Sequence, residues 1–337
     1  MPDEPALRGV LLMAYGSPER VEDLEAYYTH IRGGRPPSPE LLSELRARYE
    51  RIGSRSPLAQ VTFRQAQALE RRLKCAGGRP WKVYVGMRHW RPWILDAVSQ
   101  MAADGVRQGV GLALAPHASR MSTGAYLEAA RRALAQIDEA ARPALRFVES
   151  WADHPLFVEA LARRVQYALE QAGVTGVEAD GAGRDEVGDW AVLFTAHSLP
   201  ERILSWGDPY PQELERTCRA VAARLGITGA RWRFAYQSQG RTPEPWLGPA
   251  LDDVLRQMAS ESVRRVVVCP AGFVSDHLEV LYDIDVEAAA LARQLGIELF
   301  RTDSLNDAPD FIEALAAIIL SDGERVPSDS GRGAVRP

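Results

Sequence analysis

The chain has 337 residues, 46% hydrophobic and 25% charged, which suits one large α/β domain or two lobes around a full apolar core. Its net charge of -5 argues against general nucleic-acid binding, because the phosphate backbone needs a basic surface. No run approaches the roughly 18 apolar residues of a membrane span, the first residues lack a signal's basic and apolar regions, and Cys75, Cys218 and Cys269 have no C-x-x-C spacing, so a cytoplasmic, soluble protein with reduced thiols is expected.

The first predicted strand, residues 9–15, is a buried apolar run that ends at Gly16-Ser17-Pro18. Helical spacing follows over 21–31, is broken by Gly33-Gly34-Arg35-Pro36-Pro37, and resumes over 40–52 behind Ser38-Pro39, a cap followed by a helix-opening proline. With a further helix over 62–73, this is a longer excursion than one crossover needs before the second strand at 81–85, and such insertions form lids or pocket walls. Strand and helix then alternate: helix 92–103, strand 109–115, helix 122–137, strand 145–150, helix 155–171. Residues 173–189 have no period and read as an exposed loop between two halves. The alternation resumes with strands 190–195, 231–236, 263–269 and 297–300 and helices 211–225, 249–260, 276–295 and 309–320. The stretches 10–20 and 192–202 echo each other, each an apolar strand leading through Tyr15 or His197 to Pro-Glu-Arg, which points to two similar lobes facing a cleft.

Familiar sites are missing: there is no G-x-G-x-x-G after a strand, no Walker A lysine, no G-x-S-x-G elbow and no H-E-x-x-H. What remains is a set of polar residues at strand ends, namely Tyr15, His117, His197, and His277 with Glu279. Ligands collect at the carboxyl ends of strands in open α/β sheets, and imidazole with carboxylate binds a borderline cation such as Fe²⁺ or moves protons at neutral pH. Read as one helix, 276–295 sets Glu279, Asp283 and Glu287 along one face and Leu278, Leu281 and Ile284 along another. By spacing alone such a stripe is ordinary solvated surface.

The motifs Met13-Ala14-Tyr15-Gly16-Ser17-Pro18, Ser56-Pro57-Leu58, Ala115-Pro116-His117, Ala196-His197-Ser198-Leu199-Pro200, Gly207-Asp208-Pro209-Tyr210, Tyr236-Gln237-Ser238 and Pro243-Glu244-Pro245-Trp246-Leu247 resemble those of the ferrochelatase family, over about residues 7–320. The resemblance implies two Rossmann-like lobes, each a parallel four-stranded sheet flanked by helices, with a porphyrin cleft between them: lobes over 1–150 and 151–306, a C-terminal helix over 307–322 and a disordered tail over 323–337. It implies insertion of Fe²⁺ as substrate, with no permanently bound cofactor and no [2Fe-2S] cluster. Catalysis is expected of His197, binding metal or taking a pyrrole proton, and of Glu279 as its partner; Asp283 and Glu287 would continue the line for metal delivery or proton exit. Arg32, Arg48, Tyr49, Ser56 and Tyr126 match porphyrin-binding positions, where arginine forks suit propionates. Tyr15 resembles the tyrosine of the coproporphyrin branch that ligates product iron opposite the histidine, so coproporphyrin III is the expected substrate. A protoporphyrin IX enzyme and a non-catalytic haem carrier are the alternatives. A monomer in transient contact with the next haem-pathway enzyme is expected.

Overall fold

A computed structural model describes residues 7–77, 80–174 and 189–323. The predicted loop over 173–189 lies mostly, and the predicted tail almost entirely, outside the described residues. The first lobe holds β1 (Arg8–Ala14), α1 (Leu24–Ile31), α2 (Pro39–Arg51), α3 (Leu58–Cys75), β2 (Trp81–Met87), α4 (Ile94–Ala103), β3 (Gln108–Ala113), α5 (Thr123–Ala135) and β4 (Ala144–Val148). After α6 (Pro155–Gln171) come β5 (Trp190–His197), α7 (Arg202–Ser205), α8 (Tyr210–Arg224), β6 (Trp232–Gln237), α9 (Leu251–Ser260), β7 (Arg265–Cys269), α10 (Leu278–Tyr282), α11 (Ala289–Gln294), β8 (Glu298–Arg301) and α12 (Pro309–Gly323). Ser38 Oγ accepts from the Leu41 amide (3.3 Å), and Pro39 opens α2 as its spacing predicts.

The two sheets have one topology. Their parallel orders are β2-β1-β3-β4 and β6-β5-β7-β8. In each, the chain winds one way from the first strand and then crosses to its other side, so a crevice opens at the carboxyl ends of β1 and β3 in one lobe and of β5 and β7 in the other. The strands read as near-continuous apolar runs because both faces are covered. Val10 and Leu12 face one layer, and Leu11 and Met13 face another with α4 and α5.

One apolar cluster spans the lobes. It joins Val10 and Leu12 of β1 to Val192 and Phe194 of β5 through Phe157, Leu161 and Val165 of α6 and Phe311 and Leu315 of α12. Thus α6 carries the chain across to β7 and β8, and α12 returns to pack on α3 and β3. Arg72 of α3 grips Glu313 of α12 with two hydrogen bonds (2.5 and 2.7 Å). No helix of the described residues is long and apolar enough to cross a membrane.

The predicted helix 276–295 differs most. It begins at Leu278, and residues Asp283–Ala288 form a π-helix between α10 and α11. Along this segment Asp283 is buried and Glu287 exposed. The buried side is Val280, Ile284 and Ala288, while Leu278 and Leu281 are half-buried.

Candidate active site

Strand ends carry the site. β5 ends on His197, whose Nδ1 hydrogen-bonds the Ser198 carbonyl, leaving Nε2 free to face across the crevice. The Tyr210 hydroxyl donates to the His197 carbonyl (2.9 Å), and Trp246 lies beside the ring at 6.5 Å between centroids. The turn after β7 approaches this strand end closely, because a Cβ on Gly272 would stand 2.5 Å from Ala196 Cβ. That approach delivers α10 to the crevice. Glu279 Oε1 lies 3.5 Å from His197 Nε2, and its Oε2 lies 3.5 Å from His277 Nε2. Gln237 Nε2 donates to the Glu279 carbonyl (3.1 Å), fixing the backbone beneath the carboxylate.

The electrostatics bind these groups together. Burial by itself would lower the His197 imidazolium and raise the Glu279 carboxyl; their mutual attraction and hydrogen bond outweigh it, so His197 rises above its ordinary range and Glu279 falls well below its own. His277 adds to the hold on Glu279. The side chains of the pair keep 33% and 37% of their surface open, so water in the cleft screens the interaction even though the walls close around it.

One step further along, Ser238 Oγ hydrogen-bonds Asp283 Oδ2, and Arg48 of α2 approaches Asp283 Oδ1 from the first lobe at 3.9 Å. The Arg48 guanidinium also covers the Tyr282 ring at 4.9 Å, so this pair of contacts joins the lobes at the edge of the cleft. Burial pushes the Asp283 carboxyl up to about 6; the Ser238 hydrogen bond opposes it, the Glu279 charge adds to it and Arg48 opposes it again. Asp283 Oδ1 is buried with no hydrogen-bond partner.

The first lobe contributes Tyr15, immediately after β1. Gly16 at φ +89° turns the chain there, and the Tyr27 hydroxyl donates to its carbonyl (3.0 Å). Tyr15 keeps 39% of its surface open, and its phenol is raised by burial and by the Glu279 charge. Tyr126 of α5 and Tyr49 of α2 are buried, and both are raised by burial and by Tyr15 and Glu279 as well, so all three tyrosines lie within reach of the Glu279 charge. Arg88 reaches over the Tyr126 ring at 5.9 Å. Ser56 is buried at the start of α3, where its Oγ accepts from the Leu58 amide at 3.5 Å. Arg32 stays exposed at the end of α1 and Glu287 within the π-helix, so neither joins the His197–Glu279–His277 group.

Sequence reasoning missed several neighbours. β2 runs two residues past its predicted end to Met87, which puts His89 at a strand end like the others. His89 stacks on Tyr15 (4.5 Å between centroids), and its Nδ1 lies 3.2 Å from His30 Nδ1, with Trp93 under His30 at 4.7 Å. Ser238 and Gln237 belong to the Tyr236-Gln237-Ser238 motif, but nothing local assigns them a partner. His117 is a satisfied core histidine, buried and hydrogen-bonded to Thr217 Oγ1 at 2.9 Å. Among the described residues no three of His, Cys, Asp and Glu form a ready cation cage.

A histidine and a carboxylate that meet at the carboxyl ends of a parallel sheet can hold a borderline cation or move a proton. Solved structures agree on the fold: cobalt-bound sirohydrochlorin chelatase SirB from Bacillus subtilis superposes with a TM-score of 0.52 at 11% identity, covering 95% of this chain and 96% of that one. A multi-domain Deinococcus radiodurans protein with structural similarity to chelatases gives 0.56 at 14% identity, and the chain spans 56% of its length. The chain belongs to the ferrochelatase family, whose model matches residues 7–322. It is similar to the ferrochelatase of Herpetosiphon aurantiacus (43% identity over 93% of this chain and 98% of the relative) and to the coproporphyrin III ferrochelatase of Halalkalibacterium halodurans (44% over 92% and 96%). It is therefore a metal-chelating enzyme that acts on iron and a porphyrin.

Proposed function

We propose that the enzyme inserts Fe²⁺ into coproporphyrin III. The reaction releases two protons, since two pyrrole N–H bonds break as four nitrogens close around the ion, and no electron is transferred. The observation that carries this assignment of roles is the contact of His197 Nε2 with Glu279 at 3.5 Å. The carboxylate raises the proton affinity of the imidazole, so the pair holds a proton at rest, passes it on before taking one from a pyrrole, and then keeps the transferred proton firmly. Glu279 offsets the positive charge of the arriving ion. Asp283, pushed up to about 6, takes up and releases protons near neutrality, and exposed Glu287 leads to water.

Tyr15 presents an open ring to the cleft and ligates product iron from the side opposite His197. Arg32, Arg48, Ser56, Tyr49 and Tyr126 hold the macrocycle's carboxylates and edges, with arginine supplying planar forks. Four carboxylates on coproporphyrin make best use of such a rim. Several relatives bear the name coproporphyrin III ferrochelatase, at 40–44% identity. The second substrate reading, protoporphyrin IX, is favoured by relatives named simply ferrochelatase. In this account the enzyme works as a cytoplasmic monomer without an iron–sulfur cluster, and passes its product to the next haem-pathway enzyme in a transient contact.

Anaerobic Fe²⁺ insertion into each porphyrin tests the substrate. Faster turnover of coproporphyrin III is expected; a clear preference for protoporphyrin IX overturns it, and binding without metallation of either would make the chain a carrier.

A further inference from the structure

We propose that Gln65, in the first lobe and outside the cleft, is a positioning residue for metallation: its buried amide ties α3 to the turn that carries His277 and Glu279. The inference rests on the role proposed above for Glu279.

Gln65 is fully buried on α3, a helix that begins beside Ser56 and packs on β2 and α12. Its amide is anchored through the donor side alone, since Oε1 is buried without a hydrogen-bond partner. Its Nε2 donates to Ser275 Oγ (3.0 Å) and to the Asn306 carbonyl (2.8 Å), both in the second lobe. Ser275 is buried, and its carbonyl meets His277 Nδ1 at 3.0 Å, while His277 Nε2 faces Glu279. A continuous series of polar contacts therefore runs from a helix of one lobe to the carboxylate of the other.

The same turn is clamped from its far side. The Asn306 amide N–H donates to the Val274 carbonyl (2.9 Å), Asn306 Oδ1 accepts from the Asp276 amide (2.9 Å), and its Nδ2 donates to Asp276 Oδ2 (2.8 Å). Ser304 Oγ and Arg301 Nη1 take Asp276 Oδ1 at 2.7 and 3.3 Å. Asn306 makes these bonds at φ +44°, a conformation that asparagine accepts more readily than most side chains. The neighbouring Arg64–Asp307 ion pair (3.0 Å) spans the same seam but is exposed and screened. Gln65 is the buried member. Residues 274–276 are thus held against α3, α10 starts from a fixed point, and the reacting carboxylate keeps its place while the porphyrin is distorted and metallated.

Gln65→Met keeps the side chain's length and removes both donated bonds. The expected result is a fall of about ten- to a hundred-fold in the first-order metallation rate of prebound porphyrin, the scale set by small misplacements of reacting groups. Porphyrin affinity, measured by fluorescence quenching, should stay at the wild-type value. Asn306→Gly provides a second route, because glycine adopts the positive φ and retains the backbone bonds while losing the clamp on Asp276; it should show the same split with a folded chain. Glu279→Gln is assayed beside them. If Glu279→Gln is inactive and both tie variants metallate prebound porphyrin at the wild-type rate, with only the melting temperature lowered, the tie is structural alone and the inference fails. Equal loss of porphyrin affinity and rate also overturns it. Full activity of Glu279→Gln would instead refute the role of the site itself, and the tie with it.

Discussion

Replacing Glu279 by glutamine removes one charge and little else. The backbone carbonyl at 279 still accepts from Gln237 Nε2 at 3.1 Å, so the wall keeps its shape. What disappears is the attraction to His197 and His277, each 3.5 Å away. At that distance and an effective dielectric of about 20, one unit pair is worth about 5 kcal/mol. With a third of both side chains open to water, screening reduces the measurable coupling to about 1 kcal/mol. Folding stability should therefore change by no more than that. The chemistry should suffer far more, because burial then acts on His197 against only the Ser198 carbonyl and the Asp283 charge, and its proton affinity falls. A proton-transfer step that loses its tuned base slows by about 10²–10⁴-fold. Stopped-flow absorbance of porphyrin mixed anaerobically with Fe²⁺ measures the step, and fluorescence quenching measures binding separately. Wild-type turnover in the folded variant would refute the pairing as the source of catalysis.

Tyr15→Phe should leave a measurable insertion rate and change the absorption spectrum of the bound product; an unchanged spectrum removes the ligand claim. Burial and the Arg216 charge lower His117 to about 3, against 6.5 in the unfolded chain. The unfolded state then takes up a proton that the folded state refuses, so this contribution is complete above pH 6.5 and is lost as pH falls toward 3, by up to about 1.4 kcal/mol per unit. Urea midpoints across that window should fall less steeply for His117→Gln than for the wild type, and equal slopes would contradict the assignment. Phe311→Ala empties a fully buried position of α12 against Trp151, and should cost about 3–5 kcal/mol of unfolding free energy while leaving porphyrin affinity intact. A loss confined to porphyrin binding would show that α12 is not the structural return element it forms here.

The strands and helices were largely legible because buried parallel strands and amphipathic helices leave strong local patterns. Tyr15 and His197 could be placed at strand ends for the same reason. The acidic run was legible as residues but not as geometry: no period distinguishes an α-helix from one with a π-segment over Asp283–Ala288. His89 was overlooked because β2 extends to Met87 through pairing with β1, a contact with no local signature.

By itself the sequence determined the two-lobed alternation and the identity of the polar residues at the carboxyl ends, since both follow from short-range hydrophobic pattern and turn chemistry. Tertiary structure alone decided which of them meet. His197 faces Glu279 because β5 pairs with β7 and Gly272 lets the following turn approach Ala196, and Arg48 reaches Asp283 because α2 closes on α10. Such pairings depend on sheet order and on the packing of one lobe against the other, which no window of neighbouring residues encodes.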